Sequence, residues 1–173
     1  IRATNKAELA AVAEILRQRK NLAEARVIEV LRPGPSRVQP PCPVADRCGG
    51  CDWQYVEYSA QLEAKRQIVH DALERNAKIV DPDVSPVSPS PATLGYRNRI
   101  RLHVDEHRLC YYERRTRRAV VVTDCLIAED RIRAALPSIA ALVRSLATSV
   151  REVEIAVRGE LPGVVLSLAC GGR

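Results

Sequence analysis

Apolar and polar residues alternate along this chain in two rhythms. Between Tyr96 and Val104 the period is two. Tyr96, Asn98, Ile100, Leu102 and Val104 fall on one side of an extended chain, and Arg97, Arg99, Arg101 and His103 fall on the other. That pattern predicts a half-buried strand. Leu109–Glu113 and Ala119–Thr123 extend it into an antiparallel meander over 96–124 with Arg-rich turns. Val153, Ile155 and Val157, followed by Val164–Ala169, predict a closing hairpin. Near the start, the mostly apolar run Leu9–Leu16, a polar turn Arg17–Asn21 and the β-branched run ARVIEVL predict two more strands over 8–31. Two strands alone do not bury a face in water, so this part reads as the remnant of a small barrel or a ribbon docked on the next segment.

The second rhythm is helical. Over 58–76, Tyr58, Leu62, Ile68, Val69, Ala72 and Leu73 form an apolar stripe. Over 128–147, Ile132, Ala135, Ile139, Leu142, Val143 and Leu146 recur at helical spacing, with Pro137 expected to kink or restart the helix. Proline-rich stretches at 32–41 and 81–91 read as extended linkers. The fold class is therefore α+β. The chain divides into a β segment at 1–34, a cysteine-rich loop and helix at 35–80, and an antiparallel β domain at 81–173.

Composition sharpens this picture. Of the 173 residues 46% are apolar, enough for a packed core. No apolar run approaches the ~18 residues of a transmembrane helix, and no secretory leader is visible, so the expected location is cytoplasmic and no membrane partner is expected. There is no Met, and the sequence reads as a piece of a longer protein. The net charge of +6 is concentrated. Residues 97–118 hold eight Arg (97, 99, 101, 108, 114, 115, 117 and 118) against Asp105, Glu106 and Glu113, a local net of +5. Arg is used there without Lys, and its planar fork suits phosphates and stacked bases. The expected partner is RNA, held by this basic meander.

Six cysteines stand at 42, 48, 51, 110, 125 and 170. Cys42, Cys48 and Cys51 crowd a ten-residue loop around Gly49 and Gly50, where the glycines would let the backbone wrap tightly, positive φ included. In a chain without a leader, such spacing points to a metal before disulfides. Three thiolates need a fourth ligand. Cys125, at a turn after the meander, is the best placed, ahead of Cys110 inside a strand and Cys170 near the end. Joining Cys125 to the first three closes a loop of 73 intervening residues and would clip the 58–76 helix to the meander. Spacing leaves zinc, an iron–sulfur cluster and buried structural thiols without a metal open.

The blocks PPCPVADRCGGCDWQ, YSAQLEAKRQIVHDAL, SPATLGYRNRIRLHV and YYERRTRRAVVVTDC, in that order, resemble the 23S rRNA (uracil-5-)-methyltransferase family. The resemblance implies an S-adenosylmethionine-dependent RNA methyltransferase carrying a [4Fe-4S] cluster held by Cys42, Cys48, Cys51 and Cys125. It implies that ARVIEVLRPGPSRV is the end of a TRAM domain, a small OB-like RNA-binding barrel. It also places YRNR (Tyr96–Arg99) on the RNA-binding side of the central domain. The RNA-binding residues expected are Tyr96, Arg97, Arg99, Arg101, Arg114 and Arg115, with rRNA as the expected substrate. Cys110 departs from the family's usual Gly in the GFYER-like strand. The family's chemistry needs a Rossmann-like domain, a Cys nucleophile and an acidic residue; no strand–Gly-rich-loop–helix unit is visible, and LACGGR at 168–173 does not supply one. No catalytic residue is therefore assigned, and the chain reads as the substrate-recognising portion of the enzyme. A non-catalytic RNA-binding module with a structural zinc ion on four cysteines is the alternative. An iron–sulfur electron carrier fits less well, because a basic sheet has no part in electron transfer.

Overall fold

The computed structural model describes residues 8–20, 22–146, 149–160 and 162–171, with side chains from residue 11 onward. Asn21 of the expected first turn, and residues 172–173 of the LACGGR run, lie outside the described residues. The chain forms two compact units that cut across the three segments read from the sequence. One comprises Ile1–Pro40 and Trp53–Pro89, the other Pro41–Asp52 and Ser90–Arg173.

In the first unit, β1 (Glu8–Arg19) and β2 (Leu22–Pro33) pair as an antiparallel ribbon with several register shifts. Glu14 faces Arg26 across the ladder in an ion pair of 2.7 Å. Ile15, Ile28 and Leu31 are about 60% exposed, as expected of a sheet of only two strands. The proline-rich stretch after β2 is not a free linker. Val38 N–H donates to the Tyr55 carbonyl and Glu57 N–H to that of Ser36, so the chain doubles back on itself through an Arg37–Val56 bridge. The helix α1 (Tyr58–Ala77) comes next. Gln61 Nε2 donates to the carbonyls of Trp53 and Val56, fastening the entry to the helix. Lys78 ends it in the left-handed region, its N–H returning to the Leu73 carbonyl. No residue of α1 is buried, so the stripe read from the sequence is not a core face; Ile68 and Val69 stand nearly half exposed. The 81–91 stretch forms neither helix nor strand; Asp81 opens it in the left-handed region, and Arg66 Nε on α1 donates to the Val84 carbonyl.

The second unit is a five-stranded antiparallel sheet in the order β5-β4-β3-β6-β7, formed by β3 (Arg99–Asp105), β4 (Arg108–Tyr112), β5 (Ala119–Val121), β6 (Val150–Ala156) and β7 (Val165–Cys170). The helix α2 (Asp130–Ser145) belongs to the same unit. Ile100, Leu102, Leu109, Val153 and Ile155 from the sheet meet Ile132, Leu136, Ile139 and Val143 from α2 in one core. The alternation read along β3 is obeyed, since Ile100 and Leu102 are buried while Arg99 and Arg101 are exposed. The stripe on α2 needs two corrections. Leu136 is buried and Leu142 is 41% exposed, because the buried line runs 132–136–139–143 at three- and four-residue steps. Pro137 neither ends nor restarts the helix; it sits on the exposed side of one continuous α2.

Candidate metal centre and basic sheet

The cysteine loop is laid against the end of β4. Gly49 N–H donates to the Tyr112 carbonyl at 2.9 Å, and Cys48 bridges to Glu113. Cys48 N–H returns to the Val44 carbonyl at 2.8 Å, coiling the loop. Neither glycine uses positive φ, contrary to expectation; a Cβ on Gly49 would lie 2.7 Å from the Tyr112 carbonyl oxygen, so close approach explains that glycine. A Cβ on Gly50 would meet the Cys48 sulfur at an ordinary 3.5 Å.

Cys42, Cys48, Cys51 and Cys125 all belong to the second unit. Cys125 is part of its apolar core and Cys51 packs against that core. The Cys48 thiol lies within electrostatic reach of Cys51 and Cys42, and Cys125 within reach of Cys51. Tyr111 lies within electrostatic reach of both Cys125 and Cys48. Burial pushes the Cys48 and Cys125 thiols up; the Gly50 N–H on the first, and the N–H groups of Ile127 and Ala128 on the second, pull back toward the thiolate. Burial, with Cys125 beside it, also raises the Tyr111 hydroxyl above its usual range. Among the described residues no three His, Cys, Asp or Glu side chains stand close enough to hold one metal ion. The donor set suits soft-metal chemistry: four thiols, backbone N–H donors on the sulfurs, and Arg114 lowering Cys48. All four positions fall in the second unit, so any shared centre would join the loop at 41–52 to the sheet of that unit. Cys110, opposite His103 and Val121 in the sheet, is fully buried and its thiol is raised by burial; Cys170 is exposed on β7.

The segment carrying Cys125 is held firmly. Asp124 accepts from Cys125 N–H at 2.8 Å, and the Arg133 guanidinium grips its two oxygens at 2.8 and 2.7 Å. That hydrogen-bonded fork holds the Asp124 carboxyl below its ordinary range, despite some opposing burial. A short parallel contact runs alongside, in which Arg97 N–H donates to the Ile127 carbonyl and Glu129 N–H to the Arg97 carbonyl.

The structure places the expected RNA-binding residues in different surroundings. Tyr96 and Arg97 are exposed just before β3. Arg99 and Arg101 share Glu154 on β6, at 3.7 and 3.0 Å, and the first of these pairs leaves Arg99 well exposed. His103 Nδ1 stands 3.3 Å from Glu152 Oε1 on the same strand β6. The arginine face of β3 is thus partly compensated by two carboxylates. Those carboxylates alternate with Val153 and Ile155 in the sequence, but their pairing with β3 was not readable there. Arg114 donates to the Cys51 carbonyl and pairs with Asp52 at 2.5 Å, which ties it to the cysteine loop. Arg115 adopts the left-handed conformation at the tip of the turn, with φ 59°. Glu113, mostly shielded, sits between Arg47 at 3.2 Å and Arg118 at 3.5 Å. Two other features escaped the sequence reading: Tyr111 within electrostatic reach of Cys125 and Cys48, and a stacked pair formed by His103 and Tyr112, centroids 4.4 Å apart. Gln54, just past Cys51, keeps a buried Oε1 without a hydrogen-bond partner.

The relatives of this chain are RNA methyltransferases. An uncharacterized RNA methyltransferase of Bdellovibrio bacteriovorus is 38% identical over 121 residues, covering 70% of this chain and 31% of that protein. One from Synechocystis is 36% identical over 123 residues, covering 68% and 27%. One from Gloeobacter violaceus is 32% identical over 143 residues, covering 80% and 31%. The chain thus spans about a third of the length of the curated relatives it matches. No family model matches it. In fold it is similar to the tRNA (uracil-54, C5)-methyltransferase of Pyrococcus abyssi, solved with S-adenosyl-L-homocysteine, at a TM-score of 0.63 and 20% identity over 94% of this chain and 38% of that one. The family resemblance carried by the four sequence blocks is therefore upheld.

Proposed function

We propose that this chain is the substrate-recognition portion of an S-adenosylmethionine-dependent RNA (uracil-5-)-methyltransferase, acting on 23S rRNA, with a structural [4Fe-4S] cluster on Cys42, Cys48, Cys51 and Cys125. The observation that carries it is that all four cysteines belong to one unit, with Arg114 on the Cys51 carbonyl, in a chain related to RNA methyltransferases. The preference for a cuboidal cluster over a zinc tetrahedron rests on the family resemblance carried by the four sequence blocks. When bound, the cluster supplies linkage and folding energy; methyl transfer by this route moves no net electrons. The protein's own share is positional. Gly49 seats the loop on β4, Arg114 clasps the loop backbone, and the Asp124–Arg133 fork steadies the segment bearing Cys125.

Tyr96, Arg97, Arg99, Arg101 and Arg115 would present cations and a ring to the RNA, and Arg114 would act mainly by holding the loop. The β1–β2 ribbon would be TRAM-like, adding a further RNA contact. The described strands pair antiparallel throughout the sheets, so they do not form a parallel cofactor-binding sheet, and the methyl transfer is assigned to a domain other than these elements. The test is anaerobic purification with iron, sulfide and zinc analysis. The expected protein is brown, with iron and sulfide in equal amounts, and Cys125→Ser loses both while Cys170→Ser keeps both. Stoichiometric zinc in colourless protein would establish the four-cysteine zinc alternative instead.

A further inference from the structure

The outer face of the second unit's sheet carries a cleft of about 390 Å³ lined by His103, Val104, Tyr112, Arg151, Glu152 and Ala169. Its volume falls in the range of small-molecule sites, ~300–1,000 Å³. Three of its parts have complementary chemistry. His103 and Tyr112, from neighbouring strands β3 and β4, stack at 4.4 Å with their planes 23° apart, which gives a π surface. Glu152 on β6 offers carboxylate oxygens, one of them 3.3 Å from His103 Nδ1. Arg151 is exposed, with Nη2 on the Cys170 carbonyl at 3.2 Å, so its guanidinium is held at the rim. Ala169, opposite Glu152 in the ladder, adds no bulk.

We propose that this cleft binds one unstacked, amino-bearing base of the RNA, that is adenine, cytosine or guanine rather than uracil. The inference rests on the proposed RNA-binding function of the chain. The ring pair takes the base face, as aromatic platforms do for single-stranded RNA. Glu152 accepts from the exocyclic amino group, a donor that uracil lacks. Arg151 and the nearby β3 arginines take the adjoining phosphate. The site is therefore separate in kind from one that receives the uracil to be methylated, and it reads a neighbouring nucleotide.

The experiment uses the complete gene product and short single-stranded RNAs carrying one 2-aminopurine, whose emission falls when it stacks on an aromatic ring. Binding should quench the emission, and Tyr112→Leu should abolish the quenching and weaken binding about ten-fold. Tyr112→Phe should restore both, because the ring is kept. Glu152→Gln should remove the preference for cytosine over uracil in otherwise identical oligonucleotides. RNA binding that persists with no quenching, or with quenching and base preference untouched in Tyr112→Leu and Glu152→Gln proteins of native circular dichroism, would overturn the site while leaving the RNA-binding function intact. Absence of RNA binding by the wild-type protein would overturn both.

Discussion

The two compact units place their apolar residues in opposite ways. In the second, sheet and α2 close on one another, and Leu102, Ile132, Val153 and Ile155 are fully hidden. In the first, a helix of 20 residues has none buried, and the ribbon leaves Ile15, Ile28 and Leu31 facing outward. The amphipathic rhythm is present in both. What differs is an opposing layer, and a hydrophobic stripe gains nothing until a second surface removes it from water.

The strongest way to break this contrast is to truncate side chains on each side of it. Leu102→Ala should cost ~2–5 kcal/mol in urea unfolding of the second unit. Ile28→Ala and Ile68→Ala should change stability by no more than ~0.5 kcal/mol. Equal losses would mean that the first unit buries these residues after all. A smaller effect is expected at the loop. Gly49→Ala drives a Cβ into the Tyr112 carbonyl and should cost ~1–3 kcal/mol, whereas Gly50→Ala, with ordinary contacts, should be mild; paired thermal melts decide. The smallest effect belongs to the surface fork. The Asp124 carboxyl is depressed in the folded state, chiefly by its hydrogen bonds to Arg133, so the pair stabilises fully above the usual Asp range and its contribution fades as pH falls below about 4. Arg133→Ala should therefore lower stability slightly at pH 7 and by less as the pH falls through the acid range; an equal loss throughout would show that the arginine acts through packing.

Much of the second unit was legible because its signals are local. The β3 alternation needs only the rule that neighbouring side chains point to opposite faces, and three cysteines in ten residues announce themselves. What was not legible depends on pairing across distance. Nothing local tells that Glu152 and Glu154 land beside Arg99, Arg101 and His103, or that Arg114 turns to the Cys51 carbonyl. The α2 stripe was misread at Leu136 and Leu142 for a similar reason: both are apolar, and only the position of the sheet decides which one faces it. Gly49 was singled out correctly but for the wrong cause, since the obstacle is an oxygen contributed by β4.

Glu154, shared between two guanidinium groups, changes how this strand would meet a polyanion. A phosphate arriving at Arg101 would find one seat taken and would have to displace a tethered carboxylate instead of shedding only mobile salt ions, while Arg99, more loosely paired, would stay open to it. Engagement would then be in part an anion swap with a resident competitor, which would penalise loose encounters and reward a strand that brings several phosphates at once.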